Sequence, residues 1–301
     1  MIRIPVPHTV DPASVPDAPL APPGANAGLL DVFRRRYLLR LLVRKEIQGR
    51  YSASFLGLFW SYVQPGVRFA MYYFVIGGIL QLHEDVPLFG IHMFAGIVFV
   101  HFFTESFTAG TRSIIKNKAL VRKMSMPREM FPVASMLVSA FHVVPGLVIL
   151  TVACVAVGWT PDPVGLGAGL LGFVICAVLG TALALLFSAA NVFFRDFSNV
   201  VNTLTVFVTW SVPMIYPYSM VEERFGSLAN YYLLNPLAEV VLLIQRCFWT
   251  GATDDPAETV RGHMPDNLFG WGFAHLGVAV LLLVLAQLLF TRLENKFAER
   301  L

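Results

Sequence analysis

Two ionisable side chains interrupt long apolar runs, Arg68 and Glu105. A charge at such a position is costly in hydrocarbon and marks a pathway, a relay or an ion pair. The two runs cross between the same two surfaces, so Arg68 and Glu105 could face each other across a bundle; a buried or water-lined ion pair is one reading, and separate routes for each to water or an interface the other. Phe69, Tyr72 and Tyr73 follow Arg68 closely. Flat rings with polar rims suit the stacking of sugar faces, and these three are expected to line a conduit with Arg68 and Glu105. Other chemistry is missing. No glycine precedes a lysine, which excludes a phosphate-binding loop for ATP, and no zinc-protease or serine-hydrolase motif occurs. Cys154, Cys176 and Cys247 lie far apart and the seven histidines are scattered. No metal site, disulfide or bound cofactor is expected, and the chain reads as a non-enzyme.

The elements that position these residues are membrane spans. Of 301 residues, 56% are hydrophobic and only 14% charged, with a mean hydropathy of +0.66. Soluble domains have about 25% charged residues. The net charge of +3 gives no reason to expect nucleic acid. Six apolar segments are long enough to cross, the fifth of them short and with Pro213 near its end: about 55–80, 88–110, 131–157, 164–192, 200–216 and 268–290. Before them stand a Pro-rich leader, 1–28, expected to be disordered and cytoplasmic, and a basic stretch, 29–50. In that stretch Leu30, Phe33, Tyr37 and Leu41 recur at helical spacing among Arg34, Arg35, Arg36, Arg40, Arg44, Lys45 and Arg50. The pattern predicts an amphipathic helix lying in the interface. Residues 51–301 form the six-span domain.

Orientation follows from Lys and Arg. Only Arg224, Arg246 and Arg261 fall on the far side and Arg68 within a span, so both termini are expected in the cytoplasm. The far connection, 217–267, is too apolar for a loop in water. It is read as two short helices dipping back into the outer leaflet, broken at Asn235-Pro236. Gly165, Gly169, Gly172, Gly180 and Ala184 are read as a packing face.

Four separated patterns then carry a resemblance. Arg50-Tyr51-x-x-Ser54-x-Leu56-Gly57-x-x-Trp60-x-x-x-Gln64-Pro65 resembles the N-terminal signature of ABC-2 (type V) permeases of the polysaccharide-exporter type, the Wzm and teichoic-acid exporter group. Pro127-Arg128-Glu129-x-x-Pro132 is similar to their cytoplasmic coupling loop, Asn191-x-x-x-Arg195-Asp196 to a later turn, and Asn235-Pro236 with Arg246 to their outer re-entrant helices. A narrower likeness is to actinobacterial lipid-linked galactan exporters. The leader is longer than the family core requires.

The resemblance implies an all-α permease of the inner membrane that acts as a homodimer with two copies of a separate ATPase, which hydrolyses ATP with Mg. The cargo would be a lipid-diphosphate-linked polysaccharide of O-antigen, teichoic acid or galactan type. The basic stretch Arg34 to Arg50 would receive the diphosphate head. Asn117, Lys118, Arg122, Lys123, Pro127 and Arg128 would couple to the ATPase. Tyr231, Tyr232, Asn235, Pro236 and Ile244 would form an outer gate. A drug or small-lipid exporter of the same topology is the alternative.

Overall fold

A computed structural model describes residues 28–51, 57–79, 86–124 and 126–301. The leader and part of the first signature therefore lie outside the described residues, which are helical with no strand among them. In chain order the helices are α1 (Leu29–Arg34), α2 (Arg36–Tyr51), α3 (Trp60–Tyr72), α4 (Phe89–Lys116), α5 (Lys118–Lys123), α6 (Met130–Ala156), α7 (Pro163–Phe193) and α8 (Phe197–Trp210). After them come α9 (Tyr218–Phe225), α10 (Ala229–Tyr232), α11 (Pro236–Phe248), α12 (Pro256–His263), α13 (Leu268–Glu294) and α14 (Phe297–Arg300).

Four of these, α4, α6, α7 and α13, are each long and apolar enough to cross a membrane. The two remaining expected spans look different. The first is thirteen α-helical residues in α3, containing Pro65, followed by seven in wider π turns, Tyr73–Ile79. The fifth shrinks to α8, whose 14 residues rise only about 21 Å. The chain then leaves helical geometry at Ser211, just before Pro213, which supplies no N–H to continue the ladder.

The bundle is built around α4, which is buried on nearly every side. Small residues set how closely its neighbours approach, as lipid-embedded helices require. A Cβ on Gly110 would lie 2.4 Å from the Ala184 Cβ of α7, and one on Gly96 2.4 Å from the Met214 Cβ. On α7, Gly169 accommodates Cys247, and Gly172 fits beneath Leu243 and Ile244 of α11, so the glycine stripe is a packing face as expected. The helix α13 meets α7 along a narrow strip that buries Gly272, Ala279 and Ala286, seven residues apart. The rest of its surface exposes Phe273, Leu281, Leu285 and Leu288.

The basic end has its own small core, in which Val32, Leu39 and Leu42 pack with Ile114, Phe131 and Leu185. The expected stripe of Leu30, Phe33, Tyr37 and Leu41 faces away from this core and is exposed, the first three by about two thirds. The amphipathic stretch thus carries two apolar edges, one docked on α6 and one facing outward among its arginines. At the far end the expected pair of short helices is present. The segment Tyr218–Tyr232 bends by 115° into Pro236–Ala252 at the Asn235-Pro236 break.

Candidate functional site: a polar cavity at the basic half

The last turn of α2 brings Arg50 against α4. Its Nη1 donates to Glu105 Oε1 and lies 3.0 Å from His142 Nδ1 on α6. His142 Nδ1 is also 3.0 Å from Glu105 Oε1, and His101 Nε2, one turn before Glu105 on α4, is 3.8 Å from Oε2. Glu105 is therefore paired with Arg50, not with Arg68. Arg68 reaches the same space from α3, exposed and with no carboxylate of a described residue in ion-pair range.

Together these groups line a cavity of about 640 Å³. Along α4 its wall runs through His101, Thr104, Glu105, Thr108, Ala109 and Arg112, the three-and-four spacing of one helix face. From His101 to Arg112 that face climbs about 16 Å. Gln64 and Pro65 line it from α3, and Arg112 Nη2 donates to Asn202 Oδ1 at 3.3 Å. Among the described residues three arginines surround one carboxylate, giving this lining excess positive charge. Two anionic oxygens entering it would meet Arg68 and Arg112 without first breaking the Arg50 pair. Guanidinium groups hold phosphate oxygens with paired, charge-assisted hydrogen bonds.

The expected conduit splits in two. Arg68 and Glu105 belong to the polar cavity. Phe69 and Tyr73 stack on each other with centroids 5.6 Å apart and line a separate apolar cleft of about 550 Å³ toward the far end. Tyr72 is half-buried against the large core. The sequence reading also passed over His101, His142 and Arg112. His101 and Glu105 stand four apart on α4, a spacing that could have flagged them, whereas His142 joins only through helix packing.

Of the basic stretch, Arg34, Arg36, Arg40 and Arg44 are exposed, Arg35 lies 3.7 Å from Asp31, and only Arg50 reaches the cavity. Lys45 donates to Asn117 Oδ1 at 3.2 Å, while Asn117 Nδ2 donates to Glu46 Oε1 at 3.2 Å. Glu46 also pairs with Lys116. Partial burial pushes the Glu46 carboxyl up, but hydrogen bonds from Lys116 and Asn117 and the nearby Lys45 outweigh it, leaving its pKa below the usual carboxylate value. Among the expected coupling residues, Lys118, Arg122 and Lys123 are exposed. Asn117 and Pro127 are buried, and Arg128 donates to the Glu294 carbonyl and lies over the Phe297 ring. These three make contacts within the chain.

The expected outer gate is similarly divided. Tyr231 is exposed, and Tyr232 Oη lies 3.1 Å from Tyr216 Oη. Asn235 caps α11 by accepting from Leu237 N and donates to the Ser211 carbonyl, with Pro236 at the first helical position. Ile244 sits in the core. Arg246 on α11 holds Asp162, before α7, by two bonds of 2.9 and 2.8 Å. Those bonds, and that from Gly165 N, keep the Asp162 carboxyl below its ordinary value. Among the described residues no group of His, Cys, Asp and Glu could hold a metal ion.

The profile of the ABC-2 type transporter family matches residues 37–245. The chain is 25% identical over 263 residues to the O-antigen export system permease protein RfbA of Klebsiella pneumoniae, covering 87% of this chain and 94% of that one. To the O-antigen export system permease protein RfbA of Myxococcus xanthus it is 26% identical over 271 residues, covering 89% of this chain and 97% of that one.

Proposed function

Since the chain belongs to the ABC-2 type transporter family, we propose that it is the membrane subunit of an ATP-driven exporter of lipid-diphosphate-linked polysaccharide. The family assignment makes it a membrane-embedded transport permease. The polysaccharide reading is supported by the relatives just described, which align over nearly their whole length. The observation that carries it in this chain is the polar cavity, where, among the described residues, Arg50, Arg68 and Arg112 outnumber the single carboxylate Glu105 at the half of the bundle nearest the basic loop. That is a reception site for an anionic head.

In this reading the basic side faces the cytoplasm, and a second copy of the chain completes the conduit. A separate ATPase docks on the exposed Lys118, Arg122 and Lys123. ATP and Mg are bound there and not by this chain. The mesh of Glu46, Lys116, Asn117 and Lys45 ties the interfacial helix to the start of that loop, so a push on α5 is felt by α2, whose last residues carry Arg50. O-antigen, teichoic acid and galactan polymers all satisfy the same chemistry at the head.

Depleting the protein in its own cell tests the reading. Lipid-linked glycan should build up on the cytoplasmic face while its synthesis continues. Loss of export of a drug or simple lipid, with no glycan accumulating, would refute it.

A further inference from the structure

The polar cavity does not end at His101. A constriction of about 10 Å³, room for roughly one water, follows it along the same three helices, lined by Arg68, His101 and His142 on one side and by Ile97, Val98 and Gly146 on the other. Beyond it opens the apolar cleft of about 550 Å³, with Phe69 and Tyr73 from α3, Phe94 from α4, and Ile149 and Ala153 from α6. Arg68, His101 and His142 line both the cavity and the constriction, and the cleft begins within about a turn of the constriction on α3, α4 and α6, at Phe69, Phe94 and Ile149, so the three spaces succeed one another along one three-helix face. Its chemistry changes once along its length. The basic half is cationic, whereas no charged residue among the described ones lines the far half.

We propose that the apolar cleft is a binding site for the hydrocarbon tail of the same lipid whose anionic head occupies the polar cavity. The proposal rests on the reading of that cavity as an anion site. A single-headed anionic lipid has this distribution of charge and oil, and its head would lie nearer the basic surface with its tail pointing inward. Cleft-lining residues Leu88, Tyr73 and Ile149 are more than a third exposed, so the cleft is open for a chain to enter sideways. From His101 to Gly90 the α4 wall rises about 16 Å, matching roughly three extended isoprene units. The cleft would thus grip the part of the tail nearest the head and leave the remainder in the bilayer. Selection would then act on the lipid carrier separately from the sugar.

The test measures binding of inorganic, isopentenyl, geranyl, farnesyl and geranylgeranyl diphosphate to the purified transporter in nanodiscs. Affinity should tighten by at least about tenfold from isopentenyl to farnesyl, following burial of successive carbons, and then level off. Ala153→Trp, which fills the cleft, should collapse the farnesyl-to-inorganic ratio. Ile149→Trp is the second variant should the first fail to fold. A ratio unchanged by a folded cleft variant would mean that tails merely partition into lipid, overturning the tail site. Ready disulfide formation between two copies carrying Ala153→Cys would also overturn it, because a second protomer would then cover the cleft. Binding of inorganic diphosphate with no tail dependence overturns the tail site alone. No binding of inorganic diphosphate would overturn the anion-site reading together with this proposal.

Discussion

Glu105→Gln should make the polar cavity a better anion site. The substitution keeps the side chain's size and its ability to bond His142, 3.0 Å away, while removing the only negative charge that the described residues place among the three arginines. At about 4 Å and an effective dielectric near 20, one charge is worth roughly 4 kcal/mol to a neighbour. Arg50 is 37% exposed, so screening and side-chain freedom reduce that to about 1 kcal/mol. Released from Glu105, Arg50 can turn to a ligand, and inorganic diphosphate should bind about fivefold more tightly. Arg68→Gln should weaken binding by a similar factor, and raised salt should shrink both effects. Titration calorimetry on the purified transporter reads all three. If Glu105→Gln weakens binding as much as Arg68→Gln does, Glu105 is holding Arg50 in place for the ligand, and the competition argued here is wrong.

Three further outcomes are expected. Glu46→Gln should cost roughly 0.5–1 kcal/mol in thermal unfolding at neutral pH, because its partner Lys116 is largely exposed. The folded Glu46 has a depressed pKa, so its contribution is present above its unperturbed value of 4.5 and is lost as pH falls through the lower folded value. The wild type should show that acid limb and the variant should lack it. Gly110→Val should destabilise the α4–α7 contact by about 1–3 kcal/mol, and Ala184→Gly should restore part of the loss, read as detergent-resistant folded fraction. Exchanging Asp162 and Arg246 should recover stability that either single charge reversal loses; an exchange worse than both singles would show the bidentate pair contributes little.

The sequence made the long spans legible because α6, α7 and α13 are apolar throughout, and the Asn235-Pro236 break because an N-cap beside a proline has one common use. The fifth span was legible as short, with Pro213 near its end, but its stop at Trp210 was not, since the apolar run continues through Ser211–Tyr216. Glu105 was found by its surroundings. Its partner was missed because Arg50 reads locally as one more interfacial arginine, and only the docking of Val32, Leu39 and Leu42 aims it inward. The same docking uses a second apolar edge, Val32, Leu39 and Leu42, which the periodicity of Leu30, Phe33, Tyr37 and Leu41 did not single out. His142 reaches Glu105 from another helix, a relation that no spacing within one helix encodes.

The burial of α4 has a consequence for how the chain is made. It is the least apolar of the four long spans, carrying His92, His101 and Glu105, and most of what covers it is synthesised afterwards. Gln245 donates to the His92 and Pro213 carbonyls, and Trp249 Nε1 donates to the Pro87 carbonyl, so the far end of α4 is closed only after about 130 more residues have emerged. During that interval α4 must be sheltered at the insertion site, or α6 and α7 must reach it first with their small-residue faces. A ribosome stalled before α11 would leave a half-clad polar span in the bilayer. Membrane quality control should recognise that span, and chains truncated between α8 and α11 should be degraded faster than chains truncated after α12.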